Sequence, residues 1–210
     1  MKSFQAAFVA TFVFMAATAG QAIAAPVVLD FEELPDPPVL GGVHSYGPEI
    51  IENGFKLITG TAFGGFASWP TNSVSYTGSK AIFSNSFGAT TTLIQENGGA
   101  FSIASMDMTF TSGIINPLAE FNITFNGTTA SSALVQQTFT IGPGFMPSMQ
   151  TLNFSAAFGN IVSLSWTHVD QTYQFDNVNL DNAPALPVPA GLPLLGFGLS
   201  CMWLRRRIRP

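Results

Sequence analysis

Apolar and polar residues alternate with a period of two along several short stretches of this 210-residue chain. The alternation is clearest at 121–125, 138–141 and 162–168, where every second residue is Phe, Ile, Val, Leu or Trp, apart from His168 at the end of the third stretch. A half-buried strand shows this pattern because successive side chains point to opposite faces of the sheet. Less regular patterns predict further strands at 27–31, 55–59, 81–84, 91–94, 101–110, 150–154 and 173–180. The chain therefore contains about ten predicted short strands.

Turn-forming residues separate these stretches and indicate the class of fold. Pairs such as Asn53-Gly54 and Asn126-Gly127 are typical of tight turns between neighbouring strands. Short strands at this spacing favour an all-β fold, namely an antiparallel β-sandwich. A jelly roll is the specific prediction within that class.

Two segments depart from simple alternation. In 101–110 the apolar phase shifts between Ile103 and Met106, which predicts a β-bulge near Ala104 and its neighbour Ser105. The segment 60–79 is rich in Gly, Ser and aromatic residues, and it is predicted to form a long loop or an irregular edge.

The amino terminus has the features of a secretory signal. Lys2 precedes an apolar stretch from 4 to 19, and small residues at Ala22 and Ala24 supply the A-x-A pattern of a signal peptidase site. Residues 1–24 are therefore predicted to be a signal peptide removed by signal peptidase. A transmembrane anchor is the alternative, but the stretch is shorter than the ~20 apolar residues of a membrane span.

The carboxy terminus is a second apolar segment followed by positive charge. The dense apolar part, Ala190–Leu204, is too short as a helix to cross a hydrocarbon core of ~30 Å. Clustered arginines hold such an end on the cytoplasmic side and leave the preceding chain outside. The cluster consists of Arg205, Arg206, Arg207 and Arg209.

The order of Pro187-Val188-Pro189, a short apolar helix and an arginine cluster resembles the PEP-CTERM sorting tail. Exosortase-type transpeptidases recognise that tail in Gram-negative bacteria that make exopolysaccharide. Val188 stands where the family motif has glutamate, and residues 183–210 are predicted to be the sorting tail. The resemblance implies two partners, an exosortase-type transpeptidase and signal peptidase. It also implies transient anchoring in the inner membrane and a final location at the cell surface or outside the cell.

The predicted domain between the two ends, 25–182, is strongly acidic. It contains all twelve acidic residues of the chain and only two basic ones, Lys56 and Lys80, which gives a net charge of −10. This charge argues against nucleic acid as a partner and is compatible with divalent cations. The single cysteine, Cys201, lies in the tail, so no disulfide is available to the domain.

Acidic residues are concentrated at both ends of this domain. Asp30 lies in the first predicted strand and Glu32 directly follows it, while Asp176 lies in the last and Asp181 directly follows that strand. If those strands are neighbours, their oxygens converge and are predicted to bind a structural Ca²⁺, which takes six to eight oxygen ligands. The alternative is that these residues are solvated charges at strand ends.

The same two ends carry a looser family resemblance. The sequences Leu-Asp-Phe-Glu at 29–32 and Phe-Asp-Asn-Val at 175–178 are similar to those that open and close exported PEP-CTERM domains. Related carbohydrate-binding jelly rolls often pair their first and last strands, and some hold a structural calcium there. The resemblance therefore implies a jelly roll.

Aromatic residues cluster between 44 and 80 and suggest a sugar-binding site. Tyr46 and Trp69 are the candidates, because exposed aromatic rings stack on sugars. The alternative is that these rings pack into the core.

No catalytic motif is evident in the sequence. The two histidines, His44 and His168, are isolated, and no nucleophile elbow or phosphate-binding loop occurs. The leading prediction is a non-enzymatic exported surface or matrix protein in an exopolysaccharide setting. The alternative is a carbohydrate-binding module with a structural calcium. A glycoside hydrolase is a third possibility, and it requires two suitably spaced carboxylates in a cleft.

Overall fold

A computed structural model of the protein describes residues 26–60, 64–110, 120–142, 148–167 and 173–182. All of them belong to one compact unit, Ala24–Ala183. A second unit, formed by Met1–Ile23 and Pro184–Pro210, lies outside the described residues. Within the described ranges, no helix is long and apolar enough to cross a membrane.

Thirteen strands make up nearly all of the regular structure of the described residues. A single 3₁₀ turn, Ala156–Phe158, is the helical element among them. The strands are β1 (Val27–Leu29), β2 (His44–Gly47), β3 (Glu49–Glu52), β4 (Phe55–Thr59), β5 (Phe66–Ser68), β6 (Ile82–Ser84), β7 (Thr90–Gln95), β8 (Phe101–Phe110), β9 (Phe121–Thr129), β10 (Leu134–Ile141), β11 (Gln150–Asn153), β12 (Ile161–Thr167) and β13 (Tyr173–Asn182).

The strands form two antiparallel layers. The first layer contains the order β1-β13-β8-β11, and the second contains β7-β12-β9-β10. These eight strands have the pairing of a double-sheet jelly roll. Strands β6, β5 and β2 extend the first layer beside β13, while β4 and β3 extend the second beside β7. The predicted all-β sandwich of the jelly-roll kind is therefore confirmed.

Aromatic rings fill the space between the two layers. Phe55 of β4 meets Phe101 of β8 edge to face, and Trp166 of β12 meets Phe175 of β13 in the same way. All four side chains are fully buried. Edge-to-face pairs of this kind add about 0.5–1.5 kcal/mol each to the stability that burial supplies. The alternating Phe, Ile, Leu and Trp positions of the sequence thus form the core, as predicted.

All ten predicted strands are present in the structure, and one predicted turn is wrong. Asn126-Gly127 lies inside β9, which continues to Thr129. A Cβ atom on Gly127 would lie 2.7 Å from a methyl carbon of Val135 and 3.0 Å from one of Ile161. Glycine is therefore needed there for close packing rather than for a turn.

The predicted irregularity in β8 is confirmed, and β13 has a matching one. Asp176 pairs with Asp107, but three residues later Asn179 pairs with Ser105, so β13 contains an extra residue. The next step skips Ala104 of β8. In the β13 bulge Asn177 has a φ of +47°, a left-handed conformation that asparagine tolerates better than most residues.

Candidate functional site

An irregular loop of residues 70–80, here called the covering loop, lies over the outer face of the first layer. Gln174 of β13 donates a hydrogen bond from Nε2 to the carbonyl of Ser75 at 2.9 Å. Ser79 donates from its hydroxyl to Oδ2 of Asp176 at 2.5 Å. These contacts bury Asp176 completely, although alternation along β13 points it away from the core between the layers.

Under the covering loop, Asp176 is joined to a second carboxylate. The backbone N–H of Asn177 donates to Oδ1 of Asp176 at 2.7 Å, and its side-chain amide donates to Asp107 at 3.0 Å. Thr151 of β11 donates to the other oxygen of Asp107 at 2.6 Å. Burial raises the pKa of Asp176 to about 6. Its bonds from Ser79 and Asn177 oppose that rise, and the charges of Glu32 and Asp107 add to it.

Lys80 ends the covering loop and ties it to the segment that follows β1. Its ammonium donates to the carbonyls of Leu34 at 2.5 Å and Glu32 at 3.4 Å, and lies 3.0 Å from Oδ1 of Asp36. The backbone N–H of Lys80 donates to the Glu32 carboxylate at 2.8 Å. Glu32, Asp36, Asp107 and Asp176 together are called the acidic rim below. Lys80 is thus a positive charge set among these acids.

Another carboxylate, that of Glu52, stabilises a strained turn beside the rim. Phe31 is buried with a φ of +58°, which is unusual for a bulky residue. Its N–H donates to both oxygens of Glu52, at 3.2 and 3.3 Å, and the N–H of Asp30 donates to Oε1 at 3.3 Å. Burial raises the pKa of Glu52 to about 7, against the lowering effect of these two N–H donors.

The structure brings only part of the predicted calcium set together. Strands β1 and β13 are antiparallel neighbours, so Asp30 and Glu32 follow β1 at the end where Asp176 lies. Asp181 pairs with Ser102, five residues further along β13, roughly 16 Å away at ~3.3 Å per residue. Among the described residues, no three acidic, histidine or cysteine side chains are arranged to hold a metal ion.

The rim does not fit a calcium ion held by the four predicted residues. Both oxygens of Asp176 already accept hydrogen bonds, from Ser79 and Asn177. One oxygen of Glu32 accepts the N–H of Lys80. A cation also has to share the rim with the Lys80 ammonium. Calcium binding therefore stays a prediction. The alternative of solvated charges at strand ends does not describe Asp176, which is completely buried.

The two predicted sugar-binding aromatics lie on opposite faces of the first layer. Tyr46 packs against the main core, where its hydroxyl is 2.8 Å from Ser68 Oγ. Trp69 stacks on Phe83 at 5.2 Å in a small separate cluster with Val43 and Ala67. Both rings are half-buried. The structure does not bring them together into one stacking platform.

Four adjacent strands of the second layer, β10, β9, β12 and β7, carry an array of uncharged polar side chains on their outer face. Gln136, Asn126, Ser165 and Thr92 lie side by side on four adjacent strands, because each pairs with the next. A second row lies two residues along each strand, where Thr138 pairs with Thr124 and Thr167 pairs with Thr90. This surface, called the polar face below, consists of Asn122, Thr124, Asn126, Gln136, Thr138, Thr140, Ser165, Thr167, Thr90 and Thr92.

Hydrogen bonds between strands order the side chains of the polar face. Gln136 Nε2 donates to Asn126 Oδ1 at 2.8 Å, and the hydroxyls of Thr124 and Thr138 are 2.8 Å apart. Thr140 and Asn122 form a similar pair at 2.7 Å. On β9, β12 and β7 the side chains on the opposite side are mostly buried in the core, so the backbone beneath the face is fixed. The alternating polar positions in the sequence contained this signal, but strand order was needed to read it.

The predicted signal peptide and sorting tail lie outside the described residues. This includes Pro187, Val188 and Pro189 and the arginines Arg205, Arg206 and Arg207. Sequence reasoning did not select Asp107, Lys80 or Glu52, which complete the rim and its neighbouring turn. In the sequence, Asp107 was recognisable only as a single acidic residue at an outward position of a long predicted strand.

These features define an all-β jelly-roll domain with an acidic rim on one layer and a polar face on the other. No family model and no curated protein matches the chain. It is similar in structure to the K1 cleaved adhesin domain of Lys-gingipain from Porphyromonas gingivalis W83, with 14% identity, a TM-score of 0.40, and coverage of 74% of this chain and 97% of that one. It is also similar to the CBM29-2 mutant Y46A, a family 29 carbohydrate-binding module, with 10% identity, a TM-score of 0.34, and coverage of 77% and 94%. Such likeness concerns the fold alone.

Proposed function

We propose that this is a non-enzymatic exported protein of the cell surface or extracellular matrix that binds a neutral polysaccharide through its polar face. The observation that carries the proposal is the ordered array of ten hydroxyl and amide side chains across four strands. Export rests on the signal peptide and on the resemblance of the tail to PEP-CTERM sorting tails. The exosortase-type transpeptidase and signal peptidase are the processing partners.

The chemistry of the polar face suits sugar hydroxyls. Threonine and serine hydroxyls both donate and accept hydrogen bonds. A side-chain amide has a carbonyl oxygen and an NH₂ group, so when one of them bonds across the strands the other remains available to a ligand. In the Asn126–Gln136 pair the groups that remain available are Nδ2 of Asn126 and Oε1 of Gln136. Ordering of the side chains before binding reduces the entropy lost when a ligand is bound. A hydroxyl-rich neutral chain is the ligand that such a surface complements.

The acidic rim supports a structural role rather than hydrolysis. A glycosidase needs two carboxyl groups that reach the substrate. Asp176 is fully buried beneath the covering loop, and both oxygens of Asp107 accept bonds from Thr151 and Asn177. A carboxylate pair of this kind holds strands and loop together. The rim therefore supports a binding protein over a glycoside hydrolase.

Neutral polysaccharide is expected to retard the full chain in affinity electrophoresis. Soluble β-glucan, mannan and xylan in the gel serve as neutral probes, and alginate serves as an acidic probe that the −10 charge of residues 25–182 should repel. Replacing Asn126 and Gln136 together by alanine should weaken binding about tenfold, because two or three hydrogen bonds of about 0.5–1.5 kcal/mol each are lost.

A matched control tests whether the effect belongs to the polar face. Thr71 and Asn72 are exposed in the covering loop, so their double alanine variant removes similar groups from another surface. It should bind like the unaltered chain. Equal loss in both variants, or no retardation by any neutral probe or by the producing organism's own polysaccharide, contradicts the proposal.

Mass spectrometry of the protein released by the producing organism tests the export part of the proposal separately. The mature amino terminus is expected at Ala25, and the carboxy terminus is expected to lack Arg205–Pro210. Extracellular protein that retains the arginine cluster would show that the tail is not removed. A chain found only in the cytoplasm with Met1–Ala24 attached would exclude export.

A further inference from the structure

Two lysines lie in the described part of the chain, and their surroundings differ. Lys56 forms an ion pair with Glu49 at 2.8 Å, where both side chains are partly open to solvent. The Lys80 side chain is only 13% exposed. Burying an ammonium group is costly unless its three N–H donors find partners. Lys80 has three partners, namely the carbonyls of Leu34 and Glu32 and the carboxylate of Asp36.

The oxygens around Lys80 are of the kind that calcium uses. Calcium sites combine backbone carbonyls with carboxylates. Here two carbonyls and Asp36 surround the ammonium, and the Glu32 carboxylate binds the N–H of the same residue. A metal ion and the ammonium cannot occupy this place together, because their charges repel and the same oxygens would have to serve both.

We propose that Lys80 is the built-in counter-cation of the acidic rim, so that the rim is held together without a bound calcium ion. The ammonium offsets part of the negative charge of the rim, and it fixes the segment after β1 to the end of the covering loop. This inference concerns the rim and does not depend on the polysaccharide proposal for the opposite layer.

The position of Lys80 in the sequence links this cation to the buried acid. Ser79, the residue before it, donates to Asp176, so the two contacts are made by adjacent residues of the covering loop. Loss of the ammonium should therefore loosen the covering loop and admit water to Asp176. The acidic residues of the rim would then repel one another without a positive charge among them.

Thermal unfolding of the full chain with calcium chloride and with chelator is the test. The unaltered protein should unfold at the same temperature in both solutions, within about 1 °C, because calcium raises the midpoint only if it binds the folded state more tightly than the unfolded state. Lys80→Met should lower the midpoint by about 5 °C in both solutions. Lys56→Met is the matched control, and it should lower the midpoint by no more than about 1–2 °C because its ion pair lies at the surface.

Two results would overturn the inference. One is a saturable rise of the midpoint of the unaltered protein with calcium, which needs no variant and so does not depend on whether Lys80→Met folds. The other is a loss in Lys80→Met no larger than that in Lys56→Met. If Lys80→Met does not fold, Asp36→Asn removes the negative charge of one exposed partner of the ammonium, and it should lower the midpoint equally with calcium and with chelator.

Discussion

Replacement of Phe125 by alanine is expected to lower the free energy of unfolding by about 3–5 kcal/mol. Phe125 is completely buried in β9, and its ring lies 5.1 Å from the ring of Phe154, 5.3 Å from that of Trp166 and 5.8 Å from that of Phe139. Alanine leaves a cavity between both layers and removes three aromatic contacts together. A loss of this size is a large part of the stability of a typical domain.

Urea unfolding measures this loss as a shift of the midpoint at constant slope. Phe87→Ala is the matched control, because that ring is 67% exposed and its removal leaves no internal cavity. It should change the free energy by no more than about 0.5 kcal/mol. A loss below about 1 kcal/mol for Phe125→Ala would show that the aromatic cluster does not hold the layers together.

Phe125 also connects the core to the polar face. It lies between Thr124 and Asn126 on β9, and those two neighbours point outward because side chains alternate along a strand. The aromatic cluster therefore fixes the strand whose other side carries the hydroxyl and amide groups. Partial repacking of the core would shift the polar face before the protein unfolds.

The sequence predicted the class of fold because alternation reports burial directly. All ten strands inferred from apolar spacing are present, and even the irregularity near Ala104 was visible as a shift of phase. The three strands that were not predicted, β2, β3 and β5, have three or four residues each. Alternation over so few positions cannot be distinguished from chance.

The candidate site was less predictable because it depends on contacts distant in sequence. Ser79 and Asp176 are 97 residues apart, and Lys80 and Glu32 are 48 apart. Periodicity tells which face a residue occupies but not which loop will cover it. The adjacency of the first and last strands was anticipated, yet their antiparallel direction separates Asp181 from the other acids. Strand order and direction were also needed to see that Tyr46 and Trp69 lie on opposite faces of the first layer.

Stability is expected to fall as the pH rises from about 4 to about 7, and the raised pKa values of Glu52 and Asp176 are the cause. Their pKa values are raised to about 7 and about 6, so the folded chain keeps these protons to a higher pH than the unfolded chain, whose values are 4.5 and 3.8. Between those limits the folded state binds more protons, and raising the pH therefore favours unfolding. The stabilisation is complete below about pH 4 and is lost through pH 6–7.

The expected loss is about 2–3 kcal/mol for Asp176 and, because Glu52 is partly open to solvent, about 1–2 kcal/mol for Glu52. Glu52→Gln with Asp176→Asn should flatten the dependence of the urea midpoint on pH. The glutamine keeps an acceptor for the N–H of Phe31, and the Ser79 hydroxyl is able to accept from the new amide of residue 176. Glu49→Gln, at an exposed ion pair, should leave the slope intact. The prediction is contradicted if the urea midpoint rises toward pH 8, or if its dependence on pH is the same in the double variant. Either result would show that deprotonation of these two carboxyl groups does not destabilise the folded state.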